Sequence, residues 1–168
     1  MYRVGQAVVH PMHGAGIIEN VIDEMSAGAA RAYYVFRSRV SGLMLKLPVD
    51  NCEAIGIREP ATPERVLSLV ADIPALAVEE DRNWSRRYRE NMEKLKSGDL
   101  TEVARVVKVL MHRDARRGLS TGERKMLRSA KQILLSEIAL VQQMAYDAAE
   151  RWIDEVMMTG AVNDGKTV

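Results

Sequence analysis

A change in sequence pattern near residue 60 constrains the fold of this 168-residue chain more than any other feature. Before that point, short runs of β-branched, aromatic and aliphatic residues alternate with turn residues, which is typical of strands. After it, apolar residues recur at three- and four-residue steps between capping residues, which is typical of amphipathic helices. The sequence therefore predicts an α+β protein with a β domain at 1–58, a helical domain at 62–160 and a flexible tail at 161–168.

Four apolar segments predict the strands of the first domain. Short strands at this spacing favour a small, strongly bent sheet or barrel of the Tudor or SH3-like kind. So small a barrel has a thin core, and we expect it to pack against the segment that follows. The strand segments are Val8-Val9, Gly16–Ile18, Tyr33–Phe36 and Leu43–Leu47.

Capping residues predict about five helices in the second domain. Thr62-Pro63 predicts the first helix start, with Val66, Leu67 and Val70 at helical spacing behind it. A second helix is expected from Asn83 to about Lys96. The remaining signals are cap boxes at Asp99/Glu102 and Ser120/Glu123, a helix end at Gly118, an inward face with Leu127, Ile133, Leu134, Ile138 and Val141, and a last amphipathic segment with Ala148, Trp152, Ile153 and Val156.

The net charge of +1 conceals a strongly basic block. Residues 82–131 hold fifteen basic and six acidic residues, a net charge of +9. Residues 61–81 and 132–168 each carry −4, and residues 1–60 are neutral. A basic concentration of this size is the first requirement of a nucleic-acid-binding surface.

A tryptophan and a tyrosine lie among three arginines in the segment 83–89. A large flat side chain there could stack on or wedge between bases, while Arg86, Arg87 and Arg89 hold phosphates. The residue types alone favour the other interpretation, in which Trp84 anchors a helical core and the arginines are solvated.

The next two helices repeat basic residues at helical spacing opposite their apolar stripes. A solvated face usually mixes charge signs, but acidic partners are scarce here, so a polyanion partner and a plain solvated face both stay open. No base-reading motif is present, so DNA binding would rest on phosphate contacts. The basic residues are Arg105, Lys108, His112, Arg113 and Arg116, then Arg124, Lys125, Arg128 and Lys131.

The β domain could bind another protein through a sheet edge. Leu43–Leu47 is the candidate edge, with Lys46 as an exposed charge, unless it is an internal strand. A methyl-lysine cage would need several convergent aromatic residues, and neighbours such as Tyr33 and Tyr34 point to opposite faces of a strand.

Motifs for catalysis are absent, so we expect a protein that is not an enzyme and needs no cofactor. His10 and His13 could form a metal pair, but no partner set accompanies them, and Cys52 alone does not complete a site. With a single cysteine, no signal-peptide pattern and no apolar run of about 20 residues, we expect a cytoplasmic location.

Several segments resemble the CarD/CdnL family of bacterial regulators that bind RNA polymerase. The opening 4–16 (VGQAVVHPMHGAG) is also shared by the polymerase-interacting domain of the transcription-repair coupling factor. The tryptophan segment 83–88 and the segment 116–124 (RRGLSTGER) resemble the CarD/CdnL type. The resemblance runs from about residue 2 to residue 145 and includes 47–51, 95–99 and 130–134.

This resemblance implies a transcription regulator with two contacts. The β domain would bind the RNA polymerase β subunit through Lys46, Leu45 and Leu47. Trp84 would wedge into the minor groove at the upstream edge of the transcription bubble and stabilise the open complex. Basic residues would hold the DNA backbone; these are Arg86, Arg87, Arg89, Arg105, Lys108, Arg113, Arg124, Lys125 and Arg128.

The resemblance also carries expectations about the contacts and the assembly. Lys46 lies where relatives often carry arginine, and another basic contact of relatives falls near Glu24. We expect a monomer that joins the nucleoid through the polymerase. Two alternatives are a free-standing, non-specific or architectural DNA-binding protein and a polymerase adaptor that does not touch DNA.

Overall fold

The computed structural model describes residues 1–79 and 81–159, so the tail predicted at 161–168 lies outside the described residues. The strands are β1 (Ala7–His10), β2 (Gly14–Ser26), β3 (Ala29–Ser38) and β4 (Met44–Pro48). The helices are α1 (Cys52–Ile55), α2 (Pro63–Asp72), α3 (Trp84–Lys96), α4 (Leu100–Arg117), α5 (Thr121–Val141) and α6 (Tyr146–Thr159), with short 3-10 turns at Val49–Asn51 and Ile73–Ala75. The predicted α+β class is confirmed.

The four strands form one antiparallel sheet in the order β1-β2-β3-β4, which curls into a half-barrel. Ala27 and Gly28, both with positive φ, make the two-residue turn between β2 and β3, and such a turn matches the twist of the strands. A register shift between Ile18 and Asn20 bends β2 over a core that includes Tyr34 and Phe36. The predicted bent, Tudor-like sheet is confirmed, although β2 and β3 extend beyond the predicted segments.

Side-chain caps start the helices where the sequence predicts them. The Thr62 side chain accepts a hydrogen bond from the Arg65 amide, and Asp99 accepts one from the Glu102 amide. Ser120 and Glu123 form a complete capping box at the start of α5. Leu67 of α2 is exposed, and Leu69 packs into the helical core instead.

The helical domain supports the thin sheet, as expected. The side chain of Ser136 on α5 accepts a hydrogen bond of 2.9 Å from the Ala15 amide at the start of β2. Both groups are buried, so the sheet packs directly on α5 at this point. Other residues of α5 belong to the helical core.

Candidate nucleic-acid and protein interfaces

Trp84 is an exposed side chain at the first position of α3. Asn83 caps this helix by accepting a hydrogen bond from the Arg86 amide. The indole is 46% exposed, so the interpretation of Trp84 as a core anchor is wrong. Its ring stacks on Tyr88 one turn later, with ring centroids 5.2 Å apart and planes inclined by 21°.

The first turn of α5 holds this aromatic stack in place. Trp84 Nε1 donates a hydrogen bond of 3.3 Å to Ser120 Oγ. A Cβ atom added at Gly122 would lie 3.6 Å from the Tyr88 ring and 3.8 Å from the Trp84 ring, so both rings lie against this glycine. The indole is therefore oriented before any partner arrives, which lowers the entropy cost of binding. We call Trp84, Tyr88, Ser120 and Gly122 the indole platform.

Arg87 lies one turn after Trp84 on α3, but it is buried and only 4% exposed. Its Nε donates a hydrogen bond of 3.2 Å to Glu123 Oε2, and its Nη1 donates one of 3.1 Å to the Asp81 carbonyl. Arg113 Nε lies 3.4 Å from the same Glu123 oxygen. The prediction that Arg87 flanks Trp84 on the DNA backbone is wrong, because its guanidinium holds α3 to α5.

Glu123 is the anionic centre of this buried cluster. Burial alone would raise the pKa of its carboxyl group. Hydrogen bonds from Arg87 and Ser120 outweigh that effect, so the pKa lies below its ordinary value. Glu123 therefore completes the cap of α5 and also binds the cations of α3 and α4.

Lys108 is also buried, at 1% exposure. Its Nζ donates hydrogen bonds to the carbonyl oxygens of Ile73, Pro74 and Leu76 at 2.8, 3.0 and 2.9 Å. These carbonyls lie in and directly after the 3-10 turn that follows α2, and the Ile73 carbonyl also accepts the Leu76 amide. The prediction that Lys108 reaches DNA is wrong, since its amino group caps this turn inside the domain.

Several other predicted cations remain accessible. Arg86 and Arg89 are exposed on α3, and Arg86 Nη1 lies 3.2 Å from Asp81. Arg105 is partly exposed and lies 3.2 Å from Glu102. On α5, Arg124, Lys125 and Arg128 are exposed.

A basic pocket of about 650 Å³ opens between the start of α3 and the end of α4. It brings together two predicted DNA contacts, Arg87 and Arg113, with arginines that the sequence did not single out as contacts. Arg82 and Arg117 were missed because a turn and a helix end give no periodic signal. The lining is Val78, Asp81, Arg82, Arg87, Val109, His112, Arg113, Arg116 and Arg117.

The predicted cations of α5 are separate from this pocket. Arg124 and Arg128 line a second cavity of about 470 Å³ together with the acidic residues Asp114 and Glu150. The structure thus divides the basic block into a strongly basic surface beside α3 and a mixed-charge surface beside α6.

On the β domain, β4 pairs with β3 alone among the described strands, which leaves one edge open. The Ser38 amide donates to the Leu43 carbonyl at 2.8 Å, and the antiparallel alternation then turns the backbone groups of Met44 and Lys46 outward. Lys46 is exposed and paired with Glu24. Leu45 is half-buried, and the Leu47 side chain is 4% exposed, so the prediction of Leu47 as a side-chain contact is wrong.

The other sites considered from the sequence have less support. Rings of His10 and His13 lie 4.7 Å apart, but within residues 1–79 and 81–159 no group of three or more His, Cys, Asp or Glu residues could hold a metal ion. Burial, assisted by His13, lowers the pKa of His10 to about 4. Tyr34 and Phe36 are buried and cannot line an exposed cage. No helix in the described part is long and apolar enough to cross a membrane.

Comparison with known proteins finds two family models and curated relatives that match this chain. The family model "CarD-like/TRCF RID domain" matches residues 2–60, and "CarD, C-terminal domain" matches residues 68–154. YdeB of Bacillus subtilis (strain 168), named as a candidate transcription factor, is 34% identical over 144 residues, which are 84% of this chain and 93% of YdeB. The two models coincide with the sheet and with the helical domain.

Proposed function

The chain belongs to the CarD family of transcription factors, and from this premise we propose that it stabilises the promoter open complex by wedging Trp84 at the upstream edge of the bubble while β4 holds RNA polymerase. The observation that supports this proposal best is the indole platform. A large aromatic ring, 46% exposed and fixed by a stack and a hydrogen bond, is suited to contact with an unstacked base step.

The energetic effect depends on selectivity for the melted state. An intact duplex offers no gap for the indole, whereas the junction of the bubble exposes a base face. A ligand shifts an equilibrium only by its difference in affinity for the two states. Stacking of about 1–3 kcal/mol per base corresponds to a stabilisation of roughly 5- to 150-fold.

Phosphate contacts would come from the cations that the structure leaves accessible near α3. Arg86 and Arg89 lie on the same helix as Trp84, and Arg82 and Arg117 line the adjacent basic pocket. Arg105, Arg113, Arg124, Lys125 and Arg128 stay in the proposal as further backbone contacts. Arg87 and Lys108 leave it because they are buried.

The polymerase contact would be a strand added to β4. The outward backbone groups of Met44 and Lys46 can pair with an extended segment of the β subunit. Lys46 would give up its bond with Glu24 or share it with a partner carboxylate. Tethering makes the weak DNA contact effectively intramolecular, so little sequence specificity is needed. The proposal requires neither catalysis nor a bound cofactor, and it describes a monomer acting in the cytoplasm.

The test is the dissociation lifetime of polymerase–promoter open complexes without the protein, with the wild type and with Trp84→Ala. We expect the wild type to lengthen the lifetime and Trp84→Ala to abolish most of the gain. Leu67→Ala is a matched control, because Leu67 is also an exposed apolar residue of the helical domain, at 53%. An unchanged lifetime with the wild type, or a full gain with a folded, polymerase-bound Trp84→Ala, would contradict the wedge.

The basic pocket favours one alternative, a free-standing DNA-binding protein. That alternative predicts tight, salt-sensitive binding to duplex DNA without polymerase. The wedge predicts weak DNA binding alone and strong dependence on the β subunit, so a salt titration of both reactions separates the two.

A further inference from the structure

We propose that α5 is a rigid strut that fixes the position of the indole platform relative to the β4 edge, through a seam formed by Gly14, Ala15, Arg58, Ser136 and Glu137. This inference rests on the proposed function for its use, but its geometry stands on contacts between the two domains.

Glu137 is the centre of the seam and is 0% exposed. Its Oε1 accepts a hydrogen bond of 2.7 Å from Arg58 Nη2, and its Oε2 accepts one of 2.8 Å from Arg58 Nη1. The Ala61 amide donates a third, also 2.8 Å, to Oε2. A bidentate pair fixes both distance and angle, so this contact orients α5 against the chain that leaves the sheet.

Arg58 is in turn anchored to three parts of the molecule. Its backbone pairs with Val9 of β1 through hydrogen bonds of 2.8 and 3.1 Å, which makes it an extension of the sheet. Its Nε donates to the Gly98 carbonyl, between α3 and α4, at 3.2 Å. Arg58 therefore joins the sheet through its backbone, and α5 and the turn that precedes α4 through its side chain.

The second contact of the seam places the start of β2 directly on α5. Gly14 has φ of +73°, and a Cβ atom there would overlap Ser136 Oγ and lie 3.2 Å from Ile133 Cα. Because the position has only hydrogen, the backbone comes close enough for the Ala15 amide to donate to Ser136 Oγ.

The start of α5 contacts the indole platform, and a later part of α5 contacts the sheet that contains β4. Ser120, its cap, accepts the hydrogen bond of Trp84, and Ser136 accepts that of Ala15. The two serines are sixteen positions apart along α5 and its cap, a distance of about 24 Å at 1.5 Å per residue. A flexible tether would raise only the effective concentration of Trp84, whereas a strut also sets its distance and direction from the polymerase contact.

The rigidity can be measured without polymerase. In a Cys52→Ser background, spin labels are attached at Ala54→Cys and Ser129→Cys, exposed positions on α1 and α5. We expect one narrow distance distribution, broadened by Arg58→Ala, which leaves Glu137 buried with fewer donors. The milder Ser136→Ala provides a second variant in case Arg58→Ala unfolds. A broad distribution before any seam change, or a narrow one unchanged in both variants, would overturn the strut.

The use of the strut is tested with unlabelled protein. The seam variants should keep their affinity for the β subunit and lose the gain in open-complex lifetime, down to the level of Trp84→Ala. Asp154→Asn is the matched control, because it removes a charge paired with Lys131 of α5 but inside the helical domain, and it should keep the gain. A mainly structural defect would lower polymerase affinity together with lifetime.

Two failures remain distinguishable. A broadened distance with an unchanged lifetime gain would show that the orientation is not used and would overturn this inference alone. A wild type without any Trp84-dependent gain would overturn the proposed function, and the distance measurement would still decide whether α5 is rigid.

Discussion

Replacing Arg87 should lower the free energy of unfolding of the helical domain. It should affect DNA binding only indirectly. Arg87→Ala leaves Glu123, 3% exposed, without the guanidinium that donates to it at 3.2 Å, and removes the hydrogen bond of 3.1 Å to the Asp81 carbonyl. Breaking a buried pair by removing one partner costs about 3–5 kcal/mol. Arg113 still lies 3.4 Å from Glu123 and compensates in part, so we expect about 3 kcal/mol.

The assay is urea unfolding followed by circular dichroism, with Arg89→Ala as the control on the exposed side of the same helix. The control should stay within about 0.5 kcal/mol of the wild type. Arg87→Lys should recover only part of the loss, because an ammonium group cannot reproduce the planar fork. A loss below about 1 kcal/mol for Arg87→Ala, combined with weaker DNA binding, would refute the burial of this residue and restore it to the DNA surface.

Three further changes test other parts of the structure. Lys108→Met removes the donor to three carbonyl oxygens and should cost about 2–4 kcal/mol in urea unfolding, with DNA affinity unchanged in a salt titration; a stable variant with weaker DNA binding would contradict this. Gly14→Ala adds a Cβ at positive φ that overlaps Ser136 Oγ and should cost about 2 kcal/mol or more in the same assay, with the steric part relieved by Ser136→Ala. Because the pKa of His10 falls from 6.5 to about 4 on folding, the unfolded chain binds more protons between these values. The His10 contribution should therefore be flat above pH 6.5 and fall towards pH 4. The shift alone would correspond to about 3 kcal/mol, and solvent screening of the partly exposed ring reduces this to about 1–2 kcal/mol. His10→Asn, which keeps an acceptor for the Met12 amide, should remove that part of the slope.

Helix starts could be predicted because each depends on residues close in sequence. Thr62, Asp99 and Ser120 each accept a hydrogen bond from an amide three residues later, so the signal and the structure lie within one turn. The strand segments were found for a similar reason, since runs of β-branched, aromatic and aliphatic residues mark the part of each strand that packs on the core. The outer half of the β2–β3 hairpin, with Val21 and Met25 exposed, has no such run.

The roles of the basic residues could not be predicted because they depend on groups distant in sequence. Helical spacing places Lys108 away from the apolar stripe of α4, but that side is covered by the turn at Ile73–Ala75 and by Leu76 after it. The carbonyls that accept from the lysine lie 32–35 residues upstream. Arg86 and Arg87 are neighbours with the same charge. Arg87 faces Glu123 on α5 and forms a buried ion pair, whereas Arg86 is exposed, and the sequence does not show which of the two faces α5.

The segment 116–124 explains how one short sequence can build the site around Trp84. Arg117 lines the basic pocket at the end of α4, and Ser120 both caps α5 and accepts the indole hydrogen bond. Gly122 lies against the aromatic stack, and Glu123 completes the cap while it binds Arg87. Because the same residues start α5 and hold Trp84, a change that shifts the helix start should also move the indole. The capping box at Ser120 and Glu123 therefore marks the site as well as the helix start. The sequence alone predicted the helix start but not the contact with Trp84.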